Sequence, residues 1–200
     1  MNKLRLTPFA RREFALAYER SNDPVERARR TIIKSYMGFG SNAVHRRSGF
    51  RGNGIRAGTL PQHDWANYPA ALVAIIERMA GVVVECTDAL ALMKVHDGSD
   101  TLHYVDPPYV METRGDAGAD YSAELSDEEH EGLLETLQGL DGMVVLSGYS
   151  HAMYDSALVG WERHEKRAVA DGARERTEVI WVNPACSAAL AGVGLFGAVA

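Results

Sequence analysis

The residues best suited to chemistry form one tetrapeptide, Asp106-Pro107-Pro108-Tyr109. It follows a short run of β-forming residues at 102–105, which predicts the end of a buried strand. The two prolines must stop that strand, because proline donates no hydrogen bond to a sheet. One carboxylate, two rigid backbone carbonyls and one aromatic ring therefore follow the carboxyl end of a strand. In open α/β sheets ligands bind at that edge, so the sequence predicts a binding site here.

The tetrapeptide suits methyl transfer to an exocyclic amino group such as that of adenine. The nitrogen lone pair of such a group is delocalised into the ring, which makes it a poor nucleophile. Asp106 and the Pro107 carbonyl can each accept one amino N–H, which favours a pyramidal nitrogen and in-line attack on an activated methyl group. Pro108 helps to fix the carbonyl direction, and Tyr109 can stack on the base, worth roughly 1–3 kcal/mol. Catalysis would rest on positioning and electrostatics.

The elements that position this tetrapeptide alternate between strands and helices, which predicts an α/β sheet ending in an antiparallel hairpin. The predicted elements are a buried strand at 82–86, a helix at 89–95, the strand ending at 105, a helix capped by Ser126, a buried strand at 143–146, and a hairpin of 161–169 with 177–182. Before them, the sequence predicts helices at 7–19, from Asp23-Pro24, and at 64–79. The last of these has an apolar side made of Trp65, Tyr68, Leu72, Ile75, Ile76 and Met79.

The charge is distributed unevenly along the 200 residues, whose net charge is -6. Residues 1–60 carry 2 Lys and 11 Arg against 4 acidic residues, whereas the remainder carries 8 basic and 23 acidic residues. A strongly basic first third indicates a face for a polyanion. The alternative is that the arginines decorate a solvated helix, and charge alone favours neither interpretation.

A Gly-rich basic loop at 41–59 is the segment best suited to contact DNA. A flexible backbone, guanidinium forks and an exposed aromatic ring allow a loop to follow phosphates and probe a groove. The alternative is a disordered basic linker. The residues predicted to contact DNA are Asn42, Arg46, Arg47, Arg51 and Arg56.

Several other kinds of site are not expected. Cys86 and Cys186 are the only cysteines, which excludes a disulfide framework and fits a reducing cytoplasm. The seven histidines have no metal-ligand spacing, so we expect no metal. Ser147 lacks the Gly-x-Ser-x-Gly context of a hydrolase, which favours a strand-end role. No stretch approaches the roughly 20 apolar residues of a membrane span, and the end of the tail at 188–200 is expected to be weakly ordered.

Taken together, these segments resemble the Dam-like family of adenine-specific (amino-N6) DNA methyltransferases. The matching residues are Asp106-Pro107-Pro108-Tyr109 after a strand, the helix start Ser126-Asp127-Glu128-Glu129-His130, the strand end Leu146-Ser147-Gly148-Tyr149, and the hairpin segment Arg176-Thr177-Glu178-Val179-Ile180-Trp181. The resemblance covers roughly residues 7–184. It implies an S-adenosyl-L-methionine cofactor, double-stranded DNA as partner, and a partial Rossmann-like methyltransferase sheet with a C-terminal antiparallel hairpin.

The resemblance also assigns regions and roles. Residues 1–80 correspond to a helical, basic target-recognition region, 81–185 to an incomplete catalytic α/β core, and 186–200 to a tail. A flipped adenine would stack on Tyr109, because its amino group is otherwise paired within the duplex. Its amino group would bond to Asp106, which in this family also lies near the methionine end of the cofactor. Asp88 could line the cofactor pocket, although capping the helix at 89–95 is the favoured interpretation.

One family block has no counterpart before the recognition region. That block is a strand followed by a Phe-x-Gly-x-Gly loop that holds the cofactor, whereas Gly38-Phe39-Gly40 here follows a helix. The chain is therefore expected to be a fragment, or to obtain the cofactor-binding half from a second polypeptide. The alternatives are a catalytically inactive DNA-binding remnant, or the same chemistry on cytosine N4 or a protein glutamine. The basic loop favours DNA over a protein substrate.

Overall fold

The computed structural model describes residues 2–44, 46–52, 60–114, 124–170 and 174–196. They form two compact units, Met1–Val84 (unit 1) and Glu85–Ala200 (unit 2). Unit 1 is helical where it is described, and unit 2 contains a four-stranded sheet with helices. The chain is therefore mixed α/β, as the order of apolar runs predicted.

Unit 1 is built from helices joined by turns. They are α1 (Asn2–Arg5), α2 (Arg11–Leu16), α3 (Pro24–Met37) and α4 (Pro61–Met79), with a 3-10 turn at Ser41–Val44. The predicted start at Asp23-Pro24 is confirmed, since the Asp23 side chain accepts a hydrogen bond from the Val25 amide. The predicted helix at 7–19 is wrong at its start. Thr7 donates its hydroxyl to the Lys3 carbonyl and closes α1, so α2 begins four residues later.

The core of unit 1 forms around Trp65 of α4. The Trp65 indole is buried and donates to the Thr7 carbonyl over 2.9 Å. Tyr36 of α3 packs against both Trp65 and Tyr68, with ring centroids 6.1 and 4.5 Å away. The predicted buried side of α4 is wrong over its second half, because its packing partners contact only the first half. Three of the predicted core residues, Ile75, Ile76 and Met79, are 47, 52 and 48% exposed.

Unit 2 carries the sheet. Its elements are α5 (Ala89–Val95), β1 (Leu102–Val105), α6 (Met111–Arg114), α7 (Asp127–Gln138), β2 (Met143–Tyr149), α8 (Ala152–Ala157), β3 (Glu162–Ala170), β4 (Arg174–Val182) and α9 (Pro184–Phe196). The strand order is β1-β2-β4-β3. Strands β1 and β2 are parallel, whereas β4 runs antiparallel to both β2 and β3. The predicted C-terminal hairpin is therefore confirmed, and its second strand lies between β2 and β3.

One face of this sheet packs on helices. Its buried side chains alternate along the strands and meet leucines of α7 and the ring of Tyr154 in α8. The members of this cluster are Val110, Leu133, Leu134, Leu137, Val144, Leu146, Tyr154, Leu158, Val179 and Trp181. Ser126 and Glu129 form the predicted capping box at the start of α7. Gly148 leaves room for Trp181, since a Cβ there would lie 3.3 Å from the indole ring.

Two segments that the sequence predicts to be buried strands differ from that prediction in the structure. The run at 82–86 is not a strand, and Val83 and Val84 are 79 and 80% exposed. A β-branched run becomes a strand only beside another strand, and none of the described strands pairs with it. Strand β1 exists but is buried on one face only, with Leu102 57% and Tyr104 64% exposed. It lies at the edge of the described sheet.

Residues 188–196 of the tail, which the sequence predicts to be weakly ordered, belong to the helix α9. The side-chain oxygen of Asn183 accepts hydrogen bonds from the amides of Cys186 and Val144, both over 2.9 Å. Its side-chain nitrogen donates to the Gly142 carbonyl, also over 2.9 Å. Asn183 therefore starts α9 and binds it to the beginning of β2, with Pro184 in the first turn. In the sequence, the dipeptide Asn183-Pro184 is the signal for the start of α9.

The parallel register of β1 and β2 is held at their amino ends by Asp97. Its carboxylate accepts from the amides of Asp141 and Gly142 over 2.8 and 3.0 Å and contacts His103 over 3.1 Å. The Asp141 amide is the main cause that lowers the pKa of Asp97. Gly142 fits closely here, because a Cβ would lie 2.9 Å from the carbonyl oxygens of Gly98 and Thr101.

Gly142→Ala is expected to destabilise unit 2 by about 1–3 kcal/mol, since the added methyl group must displace two backbone carbonyls. Gly132→Ala in α7 is the matched control. Its Cβ would meet no atom within 4 Å, so it should stabilise by about 0.5–1 kcal/mol. Urea denaturation followed by 19F NMR of 5-fluorotryptophan-labelled protein measures both, with the Trp181 resonance reporting on unit 2. Equal stability of the two variants would contradict the proposed close fit at Gly142.

Candidate active site

The tetrapeptide Asp106-Pro107-Pro108-Tyr109 directly follows β1 and lies beside the carboxyl end of β2. Its position follows from the parallel register, which pairs Val105 with Leu146. Val110, the next residue, is 5% exposed and belongs to the apolar cluster of unit 2. The segment is thus held by a strand on one side and by a buried side chain on the other.

Asp106 is exposed, and its carboxylate is bound by a serine of β2. The Ser147 Oγ lies 2.8 Å from Asp106 Oδ1 and 3.3 Å from the Val105 carbonyl oxygen. A hydroxyl has one proton to donate, and a carboxylate is the stronger acceptor. Sequence reasoning took Ser147 for a strand-end residue and missed this contact. The available signal was a hydroxyl near the end of the strand that neighbours the tetrapeptide.

Tyr109 is half-buried and packs against Tyr149 at the end of β2. The ring centroids are 4.6 Å apart and the rings meet edge to face at 73°. The pKa of Tyr109 is raised to about 12. Burial is the largest cause, and the neighbouring Asp106 carboxylate is the second. Its phenol therefore stays protonated and neutral at physiological pH. Glu178 of β4 pairs with Tyr149 and also contributes to the raised pKa of Tyr109.

Asp88, the second residue predicted near the cofactor, starts a helix. Its carboxylate accepts a hydrogen bond from the Ala91 amide over 2.7 Å at the beginning of α5, and the side chain is exposed. This is the capping arrangement that the sequence favoured. The role of Asp88 at a cofactor stays a prediction.

The residues predicted to contact DNA differ in exposure. Arg46 and Arg47 are exposed, and the Arg47 guanidinium lies 5.5 Å from the centroid of the Tyr18 ring. Arg51 is 11% exposed and pairs with Asp64 over 3.5 Å, which makes it part of the packing of unit 1. The side chain of Asn42 and the whole of Arg56 lie outside the described residues.

The described part of the basic loop is folded against α3. The Arg51 amide donates to the Met37 carbonyl over 2.7 Å, and the Phe39 amide donates to the Gly49 carbonyl over 3.0 Å. Gly38 and Phe50 form an isolated antiparallel bridge. Residues 46–52 are therefore attached to unit 1 by backbone hydrogen bonds, unlike a disordered linker.

Two arginines of α3 are neutralised within unit 1. Arg29 pairs with Glu13 over 2.9 Å and with Glu26 over 2.8 Å, while Arg30 pairs with Glu26 over 2.9 Å. The pKa of Glu26 is lowered to about 2. The largest cause is the hydrogen bonding from Arg29, and the second is the hydrogen bonding from Arg30. The positive charge of residues 1–60 is thus partly used to hold helices together, whereas Arg46 and Arg47 are exposed.

Comparison with known proteins identifies no relative: the chain matches no protein-family model and no curated protein. In the described part of the chain, no helix is long and apolar enough to cross a membrane.

Glu26→Gln is expected to destabilise unit 1 by roughly 1–2 kcal/mol at pH 7, because both arginines lose a partly buried carboxylate. Since folding lowers the pKa of Glu26, its contribution is present above the ordinary glutamate value of about 4.3 and is lost as the pH falls towards 2. Urea denaturation from pH 5 to pH 3, read at the 19F resonance of Trp65, should show the difference from wild type shrinking. The control is Glu19→Gln, whose side chain is exposed. A pH-independent difference would contradict the assignment.

Proposed function

We propose that the protein is a site-specific DNA adenine methyltransferase that uses S-adenosyl-L-methionine and acts on the amino nitrogen of a flipped adenine. The observation that carries the proposal is the exposed Asp106 carboxylate after β1, bound by Ser147 and followed by the Tyr109–Tyr149 pair. This places an acceptor, a rigid proline carbonyl and an aromatic ring within four consecutive residues. Those are the groups that a planar amine needs in order to be held and made nucleophilic.

The residues of the chain would act mainly by holding the amino group. Asp106 and the Pro107 carbonyl would each accept a hydrogen bond from one N–H of the amino group. These two bonds draw the nitrogen towards a pyramidal geometry. Pro107 and Pro108 keep the carbonyl direction fixed at little entropic cost. Tyr109 offers a ring face to the base. After methylation the nitrogen is acidic and its proton passes to Asp106 or to water.

S-adenosyl-L-methionine would supply the activated methyl group, but the described residues provide little of a site for it. Of the two residues predicted near the cofactor, Asp106 belongs to the tetrapeptide and Asp88 caps α5. In the described sheet β1 has a strand neighbour on one edge only. Parallel strands are usually covered on both faces, and unpaired edges attract further strands. A second polypeptide that adds a strand beside β1 and provides the rest of the cofactor site accounts for these features.

The DNA partner is supported by unit 1. Arg46 and Arg47 lie exposed on a segment that backbone hydrogen bonds attach to α3. Exposed guanidinium groups on a fixed backbone can bind phosphates without first ordering the segment. The second candidate function, a catalytically inactive DNA-binding remnant, is favoured by the capping role of Asp88 and the open edge of β1.

Asp106→Ala is expected to lower methyl transfer to adenine-containing duplex DNA by about 100-fold or more, because the amino group loses its charged acceptor. The assay measures transfer of a radiolabelled methyl group from S-adenosyl-L-methionine to duplex DNA. Asp100→Ala, at an exposed turn position, is the matched control and should keep wild-type activity. Unchanged activity of Asp106→Ala would refute the site.

Calorimetric titration of the full chain with S-adenosyl-L-methionine tests whether the chain by itself is an autonomous enzyme. Binding by the chain alone supports an autonomous enzyme. Binding of duplex DNA without detectable cofactor binding supports the remnant, or an enzyme that needs its second polypeptide.

Replacing Arg46 and Arg47 by alanine is expected to weaken duplex binding equally for all sequences. The slope of log K against log salt concentration is negative, and each lost phosphate contact should reduce its magnitude by about 0.9. The magnitude should therefore fall by about 2 in the double variant. Fluorescence anisotropy at several salt concentrations measures this slope. Arg51→Ala is the comparison, and it should lower the stability of unit 1 through loss of the Asp64 pair. A slope unchanged by the double variant would exclude these arginines as phosphate contacts.

A further inference from the structure

Two residues of β2 contact the tetrapeptide in a regular pattern. Side chains two positions apart share one face of a strand, so Ser147 and Tyr149 lie on the same face of β2. Ser147 binds Asp106 over 2.8 Å, and Tyr149 packs on Tyr109 with ring centroids 4.6 Å apart. The alternate positions Val144, Leu146 and Gly148 belong to the buried face. One face of β2 therefore forms part of the site.

The Ser147 end of the hydrogen bond to Asp106 is buried. Ser147 is 7% exposed, and Ile180 of β4 is its partner in the register. A hydrogen bond from a buried hydroxyl to a carboxylate is charge-assisted and gains strength where water is excluded. The Asp106 carboxylate nevertheless remains exposed to an incoming group. Ser147 thus holds the carboxylate from the protein side.

The terminal torsion of an aspartate is broad and has no single sharp minimum. Without a fixed partner, the carboxylate samples many directions and its lone pairs point at an amino group only part of the time. A misplacement of about 1 Å can cost about 100-fold in rate when catalysis rests on positioning. The Ser147 hydroxyl on Oδ1 restricts that freedom, and the Tyr109 phenol also hydrogen-bonds this carboxylate.

We infer that Ser147 is the positioning residue of this site, and that its hydroxyl sets the rotation of the Asp106 carboxylate so that it accepts an N–H of the substrate amine. The inference rests on the proposed methyl transfer and deepens it. Ser147 touches no reacting atom and acts through Asp106. Its proton stays on Oγ throughout, so no proton is transferred by Ser147.

The test compares Ser147→Thr with Ser147→Val, because threonine and valine have the same shape and only threonine keeps the hydroxyl. Both are β-branched and suit a strand. In the full chain, Ser147→Val is expected to lower kcat by about 10-fold to 100-fold, as expected for a lost hydrogen bond to a charged group. The KM for duplex DNA should change less than about twofold, and Ser147→Thr should recover most of kcat. Thermal melting checks that both variants fold.

Crystal structures of wild type and both variants, at one pH, give the second readout. The Asp106 carboxylate should keep its orientation in Ser147→Thr and rotate or become disordered in Ser147→Val. An unchanged carboxylate in Ser147→Val overturns the inference, whether or not the protein methylates DNA. Equal kcat in Ser147→Val and wild type overturns it as well. If wild type shows no transfer with any adenine duplex, kcat cannot be compared and the crystal structures alone decide the role of Ser147.

Discussion

The candidate site depends on the parallel register between β1 and β2. Asp97 sets this register at the amino ends of the two strands, where it binds the turn amides of Asp141 and Gly142. Because side chains alternate along a strand, a slip of one residue would turn Ser147 away from Asp106. The tight fit at Gly142 and the buried Val110 prevent such a slip from both ends. The chemistry at one end of the strands is thus set by contacts at the other.

Charged side chains have different roles in unit 1 and in unit 2. In unit 1 part of the basic excess holds the helices together, through Arg29, Arg30 and Arg51. Such partly buried arginines are costly to withdraw from their carboxylates and are poorly placed to bind an external polyanion. In unit 2 the important charge is the single carboxylate of Asp106, which stays accessible. The proposed enzyme would accordingly bind DNA through a few exposed arginines and act through one acidic side chain.

The exposed side chains of β1 bear on the same proposal. A parallel strand pair whose outer edge is covered by none of the described strands, and in which Leu102 and Tyr104 are exposed, is unusual for an α/β sheet. A strand added at that edge would end beside Asp106, since parallel strands end at the same side of a sheet. A partner that completes the sheet would therefore also complete the site.

The sequence by itself determined the elements whose signals are local. Asp23-Pro24, the Ser126–Glu129 capping box, the hairpin and the strand before Asp106 all follow from capping residues, proline and alternation. Only the tertiary structure decided what depends on neighbours distant in the chain. The run at 82–86 pairs with none of the described strands, and the second half of α4 carries exposed apolar side chains. Ser147 meets Asp106 through a register that Asp97 sets. Burial and side-chain contacts are properties of two segments together, and a local pattern specifies only one of them.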